Sequence, residues 1–240
     1  MLDVLAIGAH PDDVELTCGG TVAKLVAQGK KVGILHLTRG EMGTRGTPAE
    51  RAREAERAAE ILGAASLTIL DCGDGGLRTG AAEQDAVIGV LRKKRPELVL
   101  APPPNDRHPD HERAHRLVRE CVFYAGLVRR GEGRPHRPGA LLCYMQHDLF
   151  SPSVVVDVTS VWQTKLDALA AYHSQIHQPD DPTARNEPMT KVASADFHAA
   201  VEGRARHFGQ LINVTFGEPF WSPRPLAVEN LLDLVPGGLR

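Results

Sequence analysis

Residues 2–15 read LDVLAIGAHPDDVE. Val4 to Ile7 is an apolar run closed by Gly8, the pattern of a short strand buried on both faces. At its end stand His10, Asp12, Asp13 and Glu15. A solvated turn is satisfied by Gly and Asp alone. A histidine and two adjacent acids at this point call for partners from elsewhere in the chain.

Working outward, strand and helix patterns alternate. DVELTCGGTVAKLVAQG reads as a helix stopped at Gly29, and KVGILHL as a second strand. The Gly-rich loop TRGEMGTRGTP leads into AERAREAERAAEILG, a charged, Ala-rich helix closed by Gly63. SLTIL is a third strand, AEQDAVIGVLRKKRP a helix stopped by Pro96, and ELVLA a fourth strand. Later come strands at ALLCYM and SVVVDV, a helix from Val161 to about Ile176, a loop HQPDDPTARNEP, a helix through SADFHAAVEGRARHFG, and an irregular Pro-rich end. This alternation predicts an α/β fold, a Rossmann-like, mostly parallel sheet with helices on both faces, forming one domain over residues 1–240.

That topology answers the opening question. Ligands of open α/β sheets bind beyond the carboxyl ends of the strands. In the strand order 3-2-1-4, strands one and four are neighbours. The loop after strand four, PPPNDRHPDHERAH, carries His108, Asp110 and His111. One His and one Asp from the first loop with one His from the second make a His2Asp set. Such a set suits zinc and leaves a position open for water. Asp12 or Asp13 is then left as a base, and whichever histidine is not a ligand can donate to a developing oxyanion. Alone, HPDD would be an Asp helix cap with a surface histidine, and HPDH a proline opening a helix. Together, at adjacent strand ends, they read as a metal site. The residue types do not choose Asp13 over Asp12, or His111 over His108.

Composition bounds the alternatives. The chain has 240 residues, 42% hydrophobic and 24% charged, with a net charge of -2. This is globular composition with no bulk electrostatic case for nucleic acid or an anionic membrane. No apolar run approaches a membrane span, and the N-terminus enters a strand without a basic leader, so a cytoplasmic protein is expected. Cys18, Cys72, Cys121 and Cys143 form no C-x-x-C pair and read as reduced, mostly buried thiols. GAHPDDVELTCGG lacks the G-x-G-x-x-G pattern of dinucleotide sites, and Gly19 and Gly20 are read as permitting close packing.

AHPDDVE with RHPDH, and TRGEMG between them, resembles the LmbE-like (PIG-L) family of zinc-dependent N-acetylglucosamine deacetylases. The likeness extends through VVVDVTSVWQTKLDALAAYHSQ, which looks closest to the branch that deacetylates N-acetylglucosaminyl malate in bacillithiol biosynthesis. The resemblance implies one Zn2+ or other divalent ion per chain on His10, Asp13 and His111, with Asp12 as general base. It implies His108 as the partner histidine, oriented by Asp110, and a trimer or hexamer as the assembly. It also implies that an arginine matching Arg51 holds a small amino-sugar substrate. Glu41 and Arg107, with Arg39 and Arg45, lie in loops at the same sheet edge and are further substrate-binding candidates. One departure stands out. Similar proteins often carry a tyrosine on the C-terminal helix as an extra oxyanion donor. Here the match is Phe197, which cannot donate, and His198 is the neighbour that would take over. His115, four residues after His111, has a metal-ligand spacing but reads as a solvated or capped histidine. His36, His136, His147, His177 and His207 are assigned to packing or surface, and His173 is a weaker site candidate. The rival functions are a metal phosphoesterase, which would want more carboxylates near HPDH, and a sugar-binding module without catalysis.

Overall fold

The computed structural model of the chain describes residues 1–176, 188 and 190–234. Five strands run parallel: β1 Val4–Gly8, β2 Val32–His36, β3 Ser66–Ile69, β4 Leu98–Ala101 and β5 Ala140–Tyr144. Two more, β6 Val154–Asp157 and β7 Gly217–Trp221, pair antiparallel. The sheet order is β3-β2-β1-β4-β5-β7-β6, which contains the expected 3-2-1-4 core. The helices are α1 Asp13–Ala27, α2 Pro48–Leu62, α3 Ala81–Lys94, α4 Pro109–Tyr124, α5 Trp162–Ala170 and α6 Ala195–Gln210.

Every residue of β1 is buried, because helices cover both faces of the sheet. Successive side chains of a strand point to opposite faces. Val4 and Ala6 accordingly join one core with Val14 and Val22 of α1, Ala58 of α2 and Leu169 of α5. Leu5 and Ile7 join the other, with Ile88 and Leu91 of α3 and Leu117 and Val118 of α4. All four cysteines are free and buried.

The structure departs from the sequence reading at three places. The expected irregular end contains β7, a strand disguised by Pro219. Proline lacks the N–H a central strand needs, but β7 meets β5 only at Cys143–Trp221 and Tyr144–Phe220, so Pro219 lies beyond that ladder. The helix expected to reach Ile176 begins as a 3-10 turn at Thr159–Val161, and α5 stops at Ala170. The residues beyond α5 turn back as a brace: the backbone N–H and hydroxyl of Ser174 both donate to the Glu54 carboxylate at 2.7 Å, and the Gln175 amide donates to the Arg45 carbonyl. Most of the expected HQPDDPTARNEP loop, His177 included, lies outside the described residues.

Helix α1 is broken. Cys18 has φ -129°, off the helical value, which releases backbone donors in mid-helix. The Glu218 carboxylate of β7 takes them up, accepting from Gly20 N at 3.0 Å, Thr21 N at 2.7 Å and the Thr21 hydroxyl at 2.6 Å. Lys165 of α5 completes the node with a buried 2.6 Å ion pair to Glu218. A buried pair of this kind is stable only when its remaining hydrogen-bonding capacity is filled, and the freed helix donors fill it.

The two adjacent glycines of α1 therefore differ. A Cβ on Gly20 would meet Glu218 Oε1 and Val158 Cβ at 2.9 Å, whereas one on Gly19 would find its nearest neighbour, Lys165, at an ordinary 3.6 Å. Gly20→Ala is expected to cost about 1–3 kcal/mol through overpacking. Gly19→Ala should be neutral or stabilising by up to about 1 kcal/mol through helix propensity. Denaturant unfolding of the two variants checks the contrast; equal midpoints would contradict it.

Candidate active site

The site is built where β1 ends. Asp12 has φ 102°, a left-handed conformation that costs a non-glycine residue about 1–3 kcal/mol. Asp12 occupies the cap position of α1 but its side chain makes no cap hydrogen bond. Its carboxylate instead faces Arg51 Nη2 at 3.3 Å. Arg51, buried on α2, also donates to the Pro11 carbonyl at 2.5 Å and the Gly40 carbonyl at 3.1 Å. Gly40 has φ 66°, and a Cβ there would lie 1.9 Å from the Arg51 guanidinium, so the Gly-rich loop clears the arginine's path. The helix bearing Arg51 starts at a fixed point: Thr47 and Glu50 form a reciprocal capping box with Pro48 in the first turn.

Asp13, the next residue, points the opposite way. Its Oδ2 accepts from the His10 backbone N–H at 2.8 Å and lies 3.5 Å from His10 Nδ1. Its Oδ1 lies 3.4 Å from His111 Nε2. The donor atoms offered by His10, Asp13 and His111 all lie within 4.8 Å of one another, as do those of His10, His108 and Asp110 and those of Asp106, His111 and His147; the first set alone is buried at all three residues. Each imidazole is also engaged at its far nitrogen. His111 Nδ1 meets Asp106 Oδ1 at 2.9 Å, and His10 Nε2 meets Asp74 Oδ1 at 3.0 Å and Asp110 Oδ2 at 3.4 Å. A carboxylate behind each imidazole, fixing its tautomer and ring orientation, is the pattern of histidines that hold a metal. By its donor chemistry and geometry the cluster fits one divalent cation.

His108 caps α4, its Nδ1 accepting from the Asp110 backbone N–H at 3.2 Å. The neutral ring therefore carries its proton on Nε2. Here the structure refines the expected role of Asp110. Its backbone, not its carboxylate, orients His108; the carboxylate accepts from Leu77 N at 3.0 Å and Arg113 at 2.8 Å and faces His10. Glu41 likewise spends both oxygens on backbone donors, of Asp74 at 2.8 Å and Arg39 at 3.1 Å, and so joins two loops. Arg107 is exposed at the rim.

Three contributors carry no sequence motif. Asp74 comes from the loop after β3, Asp106 from the loop after β4, and Gln146 from the loop after β5. Asp106 Oδ2 accepts from His147 N at 2.8 Å, and the His147 ring stacks on His111 with centroids 5.7 Å apart. His147, expected to pack elsewhere, thus belongs to the site. Its ring also lies 6.4 Å from Phe197, and His198 is half-buried beside Phe197. His115 is held by the Pro102 carbonyl at 3.0 Å, as a packed histidine should be, and His173 is exposed.

The electrostatics follow from burial among charges. Burial pushes the Asp12 carboxyl up to about 7 against the pull of Arg51. Burial acts on Asp13 in the same sense, but His111 and His10 outweigh it and hold Asp13 well below the usual carboxylate range. Burial disfavours the charged form of His111, yet Asp13 and Asp106 raise it to about 9. His10 is raised too, by Asp110, Asp13 and Asp74 against its burial. His108 is lowered by burial and by its two neighbouring histidines. A field that draws protons onto His10 and His111 also draws cations, and the two compete.

Comparison with known proteins decides the family. The chain is 36% identical over 205 residues to a diacetylchitobiose deacetylase of Thermococcus kodakarensis, covering 79% of this chain and 75% of that protein. The family described as GlcNAc-PI de-N-acetylase, PIG-L, matches residues 5–122. The chain belongs to the PIG-L family. A 1D-myo-inositol 2-acetamido-2-deoxy-alpha-D-glucopyranoside deacetylase of Rhodococcus opacus is 29% identical, covering 72% of this chain and 81% of that one. The crystal structure of a conserved protein from Thermus thermophilus superposes with TM-score 0.85 at 38% identity, covering 95% of this chain and 97% of that one. The two relatives above are named as deacetylases, and the segment that the family matches contains both the HPDD and HPDH loops.

Behind Asp13, the fully buried Glu15 lies 4.0 Å from His36 Nε2 and faces the Tyr172 hydroxyl. Burial raises Glu15 from 4.5 to about 8. Between those values the unfolded chain has released a proton that the folded chain keeps, so stability falls as pH rises through that window. His36, lowered by burial from 6.5 to about 3, acts in the opposite sense at lower pH. Glu15→Gln should therefore gain thermal midpoint relative to the parent as pH rises from about 5 to about 8. A constant difference across that range would mean Glu15 is not held protonated.

Proposed function

We propose that this chain is a metal-dependent amidohydrolase that removes the acetyl group from an N-acetylglucosamine conjugate. The observation that carries the reading is the arrangement of the two imidazoles, each with one nitrogen toward Asp13 and the other against a further carboxylate. In this reading His10, Asp13 and His111 hold one ion, for which three nitrogen and oxygen donors favour zinc. Bound there, zinc supplies a Lewis acid for the acyl carbonyl and lowers the pKa of a water.

The remaining work falls to side chains. Asp12 takes the proton of the attacking water, and its carboxyl, set near 7 by burial and Arg51, suits a base that must later release that proton. The water oxygen adds to the acyl carbon and the carbon–nitrogen bond breaks, leaving acetate and the amino sugar. His108, neutral and protonated on Nε2, is placed to donate to the acyl oxygen or to the departing amine. Arg51, expected as a substrate contact, is buried with its guanidinium on Asp12 and on the Pro11 and Gly40 carbonyls, and in this reading it holds Asp12 and the two loops around it in place.

For the substrate we favour N-acetylglucosaminyl malate. The exposed guanidinium groups of Arg107 and Arg39 at the rim support an anionic aglycone, since arginine forks bind carboxylates bidentately. Diacetylchitobiose is the second reading, supported by the 36% identical relative named for that substrate. A cytoplasmic homo-oligomer, trimer or hexamer, belongs to the same proposal. No helix among the described residues is long and apolar enough to cross a membrane, and Phe123 and Val128, 54% and 82% exposed near the end of α4, support an interface between copies.

Amine release from a panel of conjugates, including N-acetylglucosaminyl malate, the inositol conjugate and diacetylchitobiose, tests the reading. Activity should vanish with chelator and return with zinc; release from none of the panel would sink it. Asp12→Asn should lower kcat by about 10²–10⁴-fold with metal content intact. His111→Ala should lose the metal itself, because three ligands leave no redundancy. Metal loss in the first variant, or full occupancy in the second, would reassign those roles.

A further inference from the structure

Gln146 follows β5 at the same sheet edge as the loops of β1 and β4. It is 4% exposed. Its side-chain amide meets Asp13 Oδ1, and lies 3.1 Å from His111 Nε2. A carboxylate only accepts, so the amide nitrogen is the atom that faces it. The amide oxygen Oε1 is buried without a hydrogen-bond partner. The backbone on either side is fastened: Arg204 of α6 donates to the Gln146 carbonyl, and the next two N–H groups, of His147 and Asp148, donate to Asp106 at 2.8 and 3.4 Å.

A leucine or methionine would fill this volume without leaving a buried amide half-satisfied, which costs stability. The fold instead delivers an uncharged N–H donor, on a clamped backbone, to the junction of Asp13 and His111. On the C-terminal helix, the Phe197 ring lies 6.4 Å from His147 and offers no donor. Side-chain amides at such a position stabilise charge that develops on an acyl oxygen. We propose that Gln146 is a catalytic residue whose side-chain N–H donates to the acyl oxygen of the substrate as that oxygen becomes anionic. The proposal rests on the deacetylase reading above. Gln146 takes part in no proton transfer; it exchanges its contact with Asp13 for one with the acyl oxygen.

The test compares Gln146→Met, which keeps the volume, with Gln146→Glu, which keeps the shape and an oxygen but has no N–H. Both should retain zinc content; Gln146→Met should keep a thermal midpoint near the parent, whereas Gln146→Glu, which sets a second acid against Asp13 Oδ1, should lower it. Both should lose about 10²–10³-fold in kcat with KM little changed. Acetate, the product whose carboxylate occupies the acyl position, should bind Gln146→Met about tenfold more weakly by calorimetry on the zinc-loaded protein. Near-normal kcat in Gln146→Met overturns the assignment, and so does an active Gln146→Glu, which would mark the oxygen as the working atom. Zinc loss in Gln146→Met would make the residue a ligand and overturn it as well. If the parent chain releases no amine from any conjugate, the deacetylase reading fails by itself. The acetate measurement still decides on Gln146, equal affinities counting against it.

Discussion

The site depends on one backbone angle. Because Asp12 turns left-handed, two consecutive carboxylates diverge, one toward Arg51 and the other toward His10 and His111. In an ordinary helical entry Asp12 would cap α1 and nothing would face Arg51. The turn is strained, and the strain persists because the surroundings over-determine it. Arg51 grips the Pro11 carbonyl on one side of Asp12, and the Asp13 carboxylate grips the His10 backbone beyond. Arg51 is in turn fixed by its capped helix and by a glycine at 40 that leaves it room.

Electrostatically the cluster is a ring of carboxylates around two imidazoles, with one guanidinium outside it. Asp13, Asp74, Asp106 and Asp110 all face His10 or His111. Burial, only partly offset by Arg51, leaves Asp12 near 7, whereas at Asp13 the two histidines outweigh burial and hold it well below the usual range. Two acids whose environments push them apart can serve two roles. Behind them, Glu15 and His36 are neutral by burial and form the polar floor of the site.

Much of this was legible in the sequence. The 3-2-1-4 strand order and the meeting of HPDD with HPDH followed from periodicity and the rule of strand carboxyl ends. What was not legible had no local signal. Asp74 sits in a Gly-rich turn that reads as solvent-facing, and Asp106 in a proline-rich loop where it counts only as one of the acids beside HPDH, with no role of its own. Gln146 follows an apolar strand and belongs to neither the HPDD nor the HPDH motif. All three become visible only when the sheet aligns the ends of β3, β4 and β5 beside β1. Strand β7 was hidden because a proline forbids only a ladder that this strand does not complete. The roles of Asp110 and Glu41 could not be read either, since which atom of a residue does the holding is settled by rotamer and backbone, not by identity.

The break in α1 has a consequence in time. Gly20 and Thr21 find the acceptor for their freed N–H groups 198 and 197 positions later, in Glu218. A ribosome delivers the chain from its N-terminus, so the helix that begins at Asp13 is synthesised long before the carboxylate that mends it. Until β7 emerges, the first helix has open donors at its middle and Lys165 has a charge without its partner. Contacts of such separation close slowly. The site's first residues are thus made before the carboxylate that steadies their helix, so the nascent chain is committed to its active shape only once β7 has emerged.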